Sequence, residues 1–258
     1  MTEESTEALR AERDRLARAL TDCTAQLEAI TREFGQFTHS VSHDLRAPLR
    51  AMEGFSQILL EDYAAKLEGD GKRALEVMCA GAHKAAVLIE DLAALSRLCR
   101  KPFQPAPVNM GELAARKIAE LRAAGTEAAF QVDALPEAWG DPELLAVAWE
   151  QLLRNAVKFT RRQPKPAIAI TGRVEGRQAV YCVRDNGAGF DPKHADRLFA
   201  VFQRLHDEQE FEGRGLGLAM VQRAVHLHGG KVWAEGKVNE GAAFFFSLPL
   251  AETAATRE

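Results

Sequence analysis

The chain has 258 residues, 47% hydrophobic and 27% charged, with a formal net charge of -4. That length accommodates one large domain or two smaller ones, and the acidic balance argues against a general nucleic-acid binder. No apolar stretch approaches the ~20 residues needed to cross a bilayer. The charged N-terminus carries no signal-peptide pattern, and the four cysteines (Cys23, Cys79, Cys99, Cys182) lack metal-ligand spacing, which reads as reduced thiols of a cytoplasmic protein.

Residues 1–36 are rich in Ala, Glu, Arg and Leu. Leu16, Leu20, Cys23, Leu27, Ile30, Phe34, Phe37 and Val41 recur at alternating steps of four and three, the seam of a coiled coil. The repeat runs on into a helix whose apolar side is Val41, Leu45, Pro48, Met52, Phe55 and Leu59. His43 projects roughly to the opposite side and is followed by Asp44, so a nucleophile stands next to a base. Pro48 cannot donate to the carbonyl of Asp44 and builds a bend beside His43. Arg46 and Arg50 share the His43 face, where they could stabilise an anionic group or meet an acidic partner, or equally be solvated charges. The helix is expected to end near Asp62, with turn signals at Gly69, Asp70 and Gly71.

A second helix follows, with Leu75, Met78, Ala82, Ala85, Ile89, Leu92, Leu95 and Cys99 on one face. Two striped helices with a short connection form an antiparallel hairpin, and two copies of it complete a four-helix bundle. The prolines between Lys101 and Pro107 mark a linker.

Beyond Val108 the pattern changes. Met110 to Arg122 reads as a helix and Ala129 to Val132 as a strand. Asp141-Pro142 is an N-cap and first-turn pair opening a helix to about Phe159. Ala167 to Val174 and Ala179 to Arg184 read as strands paired around Glu175-Gly176. Leu216 to His228 reads as a helix, and Val232 to Ala234 and Ala243 to Leu248 as closing strands. Helices mixed with mainly antiparallel strands predict an α/β two-layer sandwich. Trp139, Trp149 and Trp233 are expected as core anchors, and His83, His194, His206, His226 and His228 as surface or partly packed residues. His39 and His43, four apart, find no third metal ligand near in sequence.

Three elements here carry chemistry. Asp185-Asn-Gly-Ala-Gly189 follows a strand directly, and its glycines let the backbone turn and approach a ligand. The acid can accept from an adenine amino group, though a plain hairpin turn is an equal alternative. Gly213-Arg-Gly-Leu-Gly217 opens a helix whose N–H groups form an anion site, with Arg214 adding charge, although glycines also serve simple helix entry. On the helix before them, Gln151, Asn155 and Lys158 share a face. An Asn oxygen suits Mg²⁺ and a Lys suits phosphate, while the bland alternative is a solvated stripe.

In this order, together with His43-Asp-Leu-Arg-Ala-Pro, these elements resemble the sensor histidine kinases of two-component signalling over residues 37–250. The His43 run is similar to the family's phosphoacceptor box, Asn155-Ala-Val-Lys-Phe to its N box, and Asp185-Asn-Gly-Ala-Gly to its G1 box. Phe199-Ala-Val-Phe-Gln-Arg204 is similar to the F box and Gly213 to Gly217 to the G2 box. The runs around Phe202 and Phe211 look most like those of phytochrome-type kinases.

The resemblance implies a multi-domain α and α/β fold. Its parts are a coiled-coil signal helix (1–36), a dimerising phosphotransfer hairpin (37–101), a linker (102–107), a Bergerat-type ATP-binding domain (108–252) and a tail (253–258). It implies a homodimer that takes phosphate from ATP onto His43, assisted by Asp44, and passes it to an aspartate of a response-regulator receiver domain. Asp185, Gly187 and Gly189 would read adenine, and Phe159 would line the base or ribose. Lys158, Arg204, Gly213, Arg214, Gly215, Leu216 and Gly217 would serve the phosphates, and Asn155 would hold Mg²⁺. Residues from about Phe190 to Glu212 would form a lid. An upstream sensor domain or partner protein would supply the signal.

Two positions depart from the family pattern. Gln151 stands where the family usually has Asn, and Ala47 where phosphatase-competent members carry Thr or Asn, which predicts a kinase-dominant enzyme. The competing readings are a catalytically weak phosphotransfer or docking module, and an ATP-gated ATPase of the same pocket class. Against the latter, Gln151 occupies the position where such ATPases use a water-activating Glu.

Overall fold

A computed structural model describes residues 3–63, 69–203, 205, 211 and 215–250. The chain divides into two compact units, Met1–Lys101 and Pro102–Glu258.

The first unit is a helical hairpin. Helix α1 spans Glu3–Tyr63 and continues through Pro48, and α2 spans Gly69–Arg100. Small and hydroxyl side chains let the two helices approach closely. Thr38, Ser42, Leu49 and Ser56 of α1 are buried, as are Leu75, Ala82, Ala93 and Ser96 of α2. The buried hydroxyls are satisfied locally: Ser42 Oγ donates to the Thr38 carbonyl at 2.6 Å, and Ser96 Oγ crosses to the Gly35 carbonyl at 2.8 Å.

The expected apolar stripe of α1 is therefore not what packs against α2. Leu45, Met52 and Leu59 are about half exposed and Phe55 is 68% exposed, and Met78 on α2 is likewise open. The reason is geometric: α2 covers one side of α1, and the stripe of larger apolar residues lies on another. Leu16, Leu20, Ile30 and Phe37 of the heptad seam are also exposed. The side chains of Leu27, Phe34, His39 and Cys99 lie outside the described residues.

The second unit begins with β1 (Ala106–Val108), which pairs antiparallel with β3 (Ala138–Gly140). Neither strand is legible in the sequence, since each is three residues long. Helix α3 (Met110–Ala123) is capped by Asn109, whose Oδ1 accepts from the Glu112 N–H. A second sheet runs in the order β2 (Ala129–Val132), β4 (Ala167–Glu175), β5 (Gln178–Asp185), β7 (Gly241–Pro249), β6 (Val232–Lys237). Only the β2–β4 pair of that sheet is parallel. Helices α4 (Pro142–Thr160) and α5 (Gly217–Leu227) complete the unit, with a short 3-10 helix at Pro192–Arg197. The α/β two-layer arrangement agrees with the sequence expectation.

Leu144, Leu145, Ala148, Trp149 and Leu153 of α4 are fully buried. Trp149 meets the sheet edge-on at Phe246 (ring centroids 5.3 Å apart) and Tyr181 (6.1 Å). Alternation along β5 turns Tyr181, Val183 and Asp185 to the same face, so the strand that anchors the core also aims its terminal acid into the helical layer. The other two tryptophans depart from expectation. Trp139 is 46% exposed, because period-two alternation sends its neighbours Ala138 and Gly140 inward instead. Trp233 is half-buried on the outer face of the sheet, stacked on Phe245 at 5.2 Å.

Candidate functional site

Asp185 is the last residue of β5 and is 4% exposed. Its Oδ1 accepts from the Gly187 N–H at 2.9 Å, while its Oδ2 is buried without a hydrogen-bond partner. A carboxylate oxygen in that condition is costly unless a ligand donor completes it. Burial pushes the Asp185 pKa up to about 6, opposed by the backbone N–H groups of Gly187 and Ala242.

The turn after Asp185 is fixed on both sides. Asn186 Oδ1 accepts from the Ala167 N–H at 2.9 Å, and its Nδ2 donates to the Lys165 carbonyl at 2.8 Å, fastening the loop to the start of β4. A Cβ on Gly187 would lie 2.5 Å from the Phe159 carbonyl oxygen, the same oxygen that accepts from the Ala188 N–H at 3.2 Å. Gly189 has φ +62, and a Cβ there would overlap the Lys237 carbonyl. Glycine is thus required at Gly187 because the C-terminal end of α4 rests on this loop.

Helix α4 starts at Asp141, whose Oδ1 accepts from the Glu143 and Leu144 N–H groups at 3.0 and 3.2 Å. Its half-buried face carries Gln151, Asn155, Lys158 and Phe159. The Lys158 ammonium lies 4.1 Å from the Phe159 ring centroid, a cation–π contact. Phe211 is buried against Phe159 with centroids 5.0 Å apart, and the Arg162 guanidinium stands 5.0 Å from the Phe211 ring.

Helix α5 enters the same neighbourhood. Leu216 at its N-cap makes no side-chain capping bond, which leaves the first-turn N–H groups without a side-chain acceptor from the cap. Gly217 is the close-approach point to α4: a Cβ there would lie 2.7 Å from Gln151 Oε1. Gly215 has φ +73, and its carbonyl accepts from the Phe202 N–H at 2.9 Å.

Among the residues singled out from sequence, Asn155, Lys158, Phe159, Asp185, Gly187, Gly189, Gly215, Leu216 and Gly217 therefore belong to elements joined by direct contacts. Arg204, Gly213 and Arg214 lie outside the described residues. The sequence reading missed the roles of Asn186 as a fastener and of Gln151 as the α4–α5 contact. It also missed the Phe211–Arg162 pair, for which no local pattern existed. A separate open cavity of about 580 Å³ shares the Asp185 strand end but is lined by Phe130, Arg184, Glu235 and Ala243. Alternation places Arg184 and Ala243 on the sheet face away from Asp185, and neither Asn155 nor Lys158 lines this cavity, so it is not the site described above.

In the first unit, His43 and Asp44 are both exposed, with His43 Nδ1 3.1 Å from Asp44 Oδ1. A carboxylate only accepts, so in the neutral ring Nδ1 carries the proton and Nε2 presents its lone pair to solvent. The described residues contain no group of three or more His, Cys, Asp or Glu able to hold a metal. None of the described helices is long and apolar enough to cross a membrane.

Two protein families match the chain. The His Kinase A (phospho-acceptor) domain matches residues 35–99, and the histidine kinase-, DNA gyrase B-, and HSP90-like ATPase matches residues 140–252. Cyanobacterial phytochrome A of Nostoc sp. is 32% identical over 238 residues, covering 92% of this chain and 31% of that protein. The methanogenesis regulatory histidine kinase FilI of Methanothrix harundinacea is 34% identical over 229 residues, covering 87% of this chain and 25% of the relative. The chain thus spans a third or less of these relatives. Among solved structures, full-length ShkA in complex with AMPPNP superposes with a TM-score of 0.58 at 28% identity, over 85% of this chain and 46% of that one. The mycobacterial sensor histidine kinase MprB superposes with a TM-score of 0.50 at 27% identity, over 57% of this chain and 97% of that one.

Proposed function

We propose, since this chain belongs to the sensor histidine kinases, that it autophosphorylates His43 from ATP and passes the phosphoryl group to an aspartate on a response-regulator receiver domain. The observation that carries the reading is the orphaned Oδ2 of Asp185, a buried acceptor at the end of β5 where the glycine-containing loop begins. An adenine amino group supplies the donor that this oxygen lacks. The contacts among these elements support a reading of the rest of the nucleotide. Phe159 flanks the base or ribose, Lys158 neutralises phosphate charge, and the α5 N-terminus with Gly215, Leu216 and Gly217 receives phosphate oxygens. Gly213, Arg214 and Arg204 join them by sequence alone.

Asn155, half-buried on α4, carries an amide oxygen suited to Mg²⁺, which would be held there together with the nucleotide's own phosphate oxygens. When bound, Mg²⁺ would neutralise charge on the β- and γ-phosphates. The chain's own contribution to transfer is position and proton control. Asp44 holds the His43 proton on Nδ1, so Nε2 attacks the γ-phosphorus, the bond to the leaving ADP oxygen breaks, and Asp44 stabilises the ring as it becomes cationic.

The open stripe of Leu45, Met52, Phe55 and Leu59 supports a homodimer in which a second hairpin covers it. Ala47 is exposed one turn past His43 and offers no group to orient water, which supports a kinase-dominant enzyme. A cytoplasmic location is consistent with the free thiols of Cys23, Cys79 and Cys182. Incubation with γ-labelled ATP tests the central reading. Wild type is expected to acquire acid-labile, base-stable label that His43→Gln loses, and equal labelling of the two proteins would overturn it. Rapid ATP turnover with no phosphohistidine would instead favour a conformational ATPase.

A further inference from the structure

Asp141 does more than cap α4. Its Oδ1 alone satisfies the two first-turn N–H groups, a task that Asn or Ser performs equally well. The second oxygen, Oδ2, accepts from the N–H of Gln104 at 3.1 Å, on the segment entering the catalytic unit. The Asp141 N–H in turn donates to Nε2 of His228 at 2.8 Å.

His228 closes the arrangement from α5. Its Nδ1 lies 2.7 Å from the Ala224 carbonyl, which can only accept, so Nδ1 carries the proton and Nε2 is left to accept from Asp141. Burial holds the ring below its ordinary pKa, opposed by the Ala224 carbonyl and the Asp141 charge, and the ring stays neutral near pH 7. Phe103 sets its ring edge-on to His228 at 4.8 Å. Gly140 leaves the room: a Cβ there would stand 2.4 Å from the imidazole. The segment from Phe103 is thus held by an aromatic contact, then a charge-assisted hydrogen bond, then the β1–β3 ladder from Ala106.

We propose that Asp141 and His228 form a clasp that fastens the root of the interdomain linker to the catalytic domain and so limits how far that domain travels to phosphorylate His43. The proposal rests on the kinase reading above, and the two are positioning residues that touch no substrate. The Lys101 N–H still bonds to the Arg97 carbonyl at the end of α2, so with the clasp closed the unfastened chain runs only from Lys101 to Phe103. Opened, it runs to Ala106 at the start of β1. At up to ~3.6 Å per residue, that lengthens the tether from about 7 to about 18 Å. Once a tether is long enough to span its two sites, effective concentration falls with about the −3/2 power of its length, which for this ratio of lengths is about fourfold.

Asp141→Asn isolates the clasp. The amide oxygen keeps the α4 cap and the NH₂ turns toward the Gln104 N–H, donor against donor. On the full chain, hydrogen exchange at the Gln104 amide is expected to speed by roughly tenfold or more. Protection of Glu143 and Leu144, and the dissociation constant for ATP, are expected to stay within twofold of wild type. The autophosphorylation kcat should fall about fourfold with KM unchanged. Phe103→Ala, at a 41% exposed position that does not threaten folding, should show the same pattern more weakly. Unchanged Gln104 protection in both variants, or a freed Gln104 with unchanged or raised kcat, would overturn the clasp. If wild type forms no phosphohistidine at all, the kinase reading fails, while the exchange measurement still reports whether the linker is fastened.

Discussion

Asp185→Asn separates binding from stability, because burial of the charge and the proposed adenine contact give the two effects opposite signs. In the free protein the carboxyl is buried with one oxygen unpaired, and its pKa rises from 3.8 to about 6. A rise of that size corresponds to ~3 kcal/mol of native-state destabilisation by the ionised form. The sign follows from proton binding. Between 3.8 and 6 the folded protein holds the proton more tightly than the unfolded chain, so stability is greatest below this window, declines through it and is flat above it. Asn is isosteric and carries no charge, and its oxygen can still accept from Gly187. The variant is therefore expected to be more stable than wild type by about 1–3 kcal/mol near neutral pH, less than the full term because a buried amide also seeks partners. The advantage should shrink to nothing below about pH 4.

Nucleotide binding should move the other way. The Asn NH₂ would face the adenine amino group, so an acceptor is lost and a donor is left unpaired. Together these cost about 3 kcal/mol or more, at least a hundredfold in Kd. Urea denaturation followed through Trp149, which is fully buried in this unit, reads the stability, and titration calorimetry with ATP reads the affinity. A variant that binds ATP within tenfold of wild type, or that is destabilised near neutral pH, would refute the assignment of Oδ2 as the adenine acceptor.

Gly187→Ala should push the loop off the end of α4, since its Cβ would lie 2.5 Å from the Phe159 carbonyl oxygen; a loss of about 1–3 kcal/mol is expected in urea denaturation, with weakened ATP binding. Phe55→Glu combined with Leu45→Glu places charge on the open stripe of α1, and light scattering is expected to report a dimer for wild type and a monomer for the double variant. His228 contributes a second pH dependence. Its pKa is lowered from the ordinary 6.5 by burial, so below that value the unfolded chain takes up the proton first. Stability should thus decline as pH falls below about 6.5, down to the depressed folded value, and measuring this in the Asp185→Asn background removes the opposing slope.

The pieces of the site were legible in sequence because each obeys a local rule. Asp141-Pro142 marks a helix start, and that helix carries Asn155 and Lys158 on one face. The paired glycines after Asp185 and before α5 mark backbone that must turn tightly or approach another chain. The same local rules misjudged His228, expected at the surface or partly packed and found buried with both ring nitrogens engaged. Nothing near it in sequence signals that role, since its partners Asp141 and Phe103 are 87 and 125 positions away.

By itself, then, the sequence determined the elements and the chemistry available to them: a histidine beside an acid on a long helix, and an acid, an amide, a lysine and glycines on an α/β layer. Only the tertiary structure decided which atoms remain unsatisfied and which glycines are obligatory. It left Asp185 Oδ2 without a partner, set Gly187 under the Phe159 carbonyl and Gly217 against Gln151, and turned Leu45, Met52, Phe55 and Leu59 of α1 away from α2. Periodicity specifies a face, but what meets that face, and whether a buried polar atom finds a donor, depends on contacts between segments far apart in the chain.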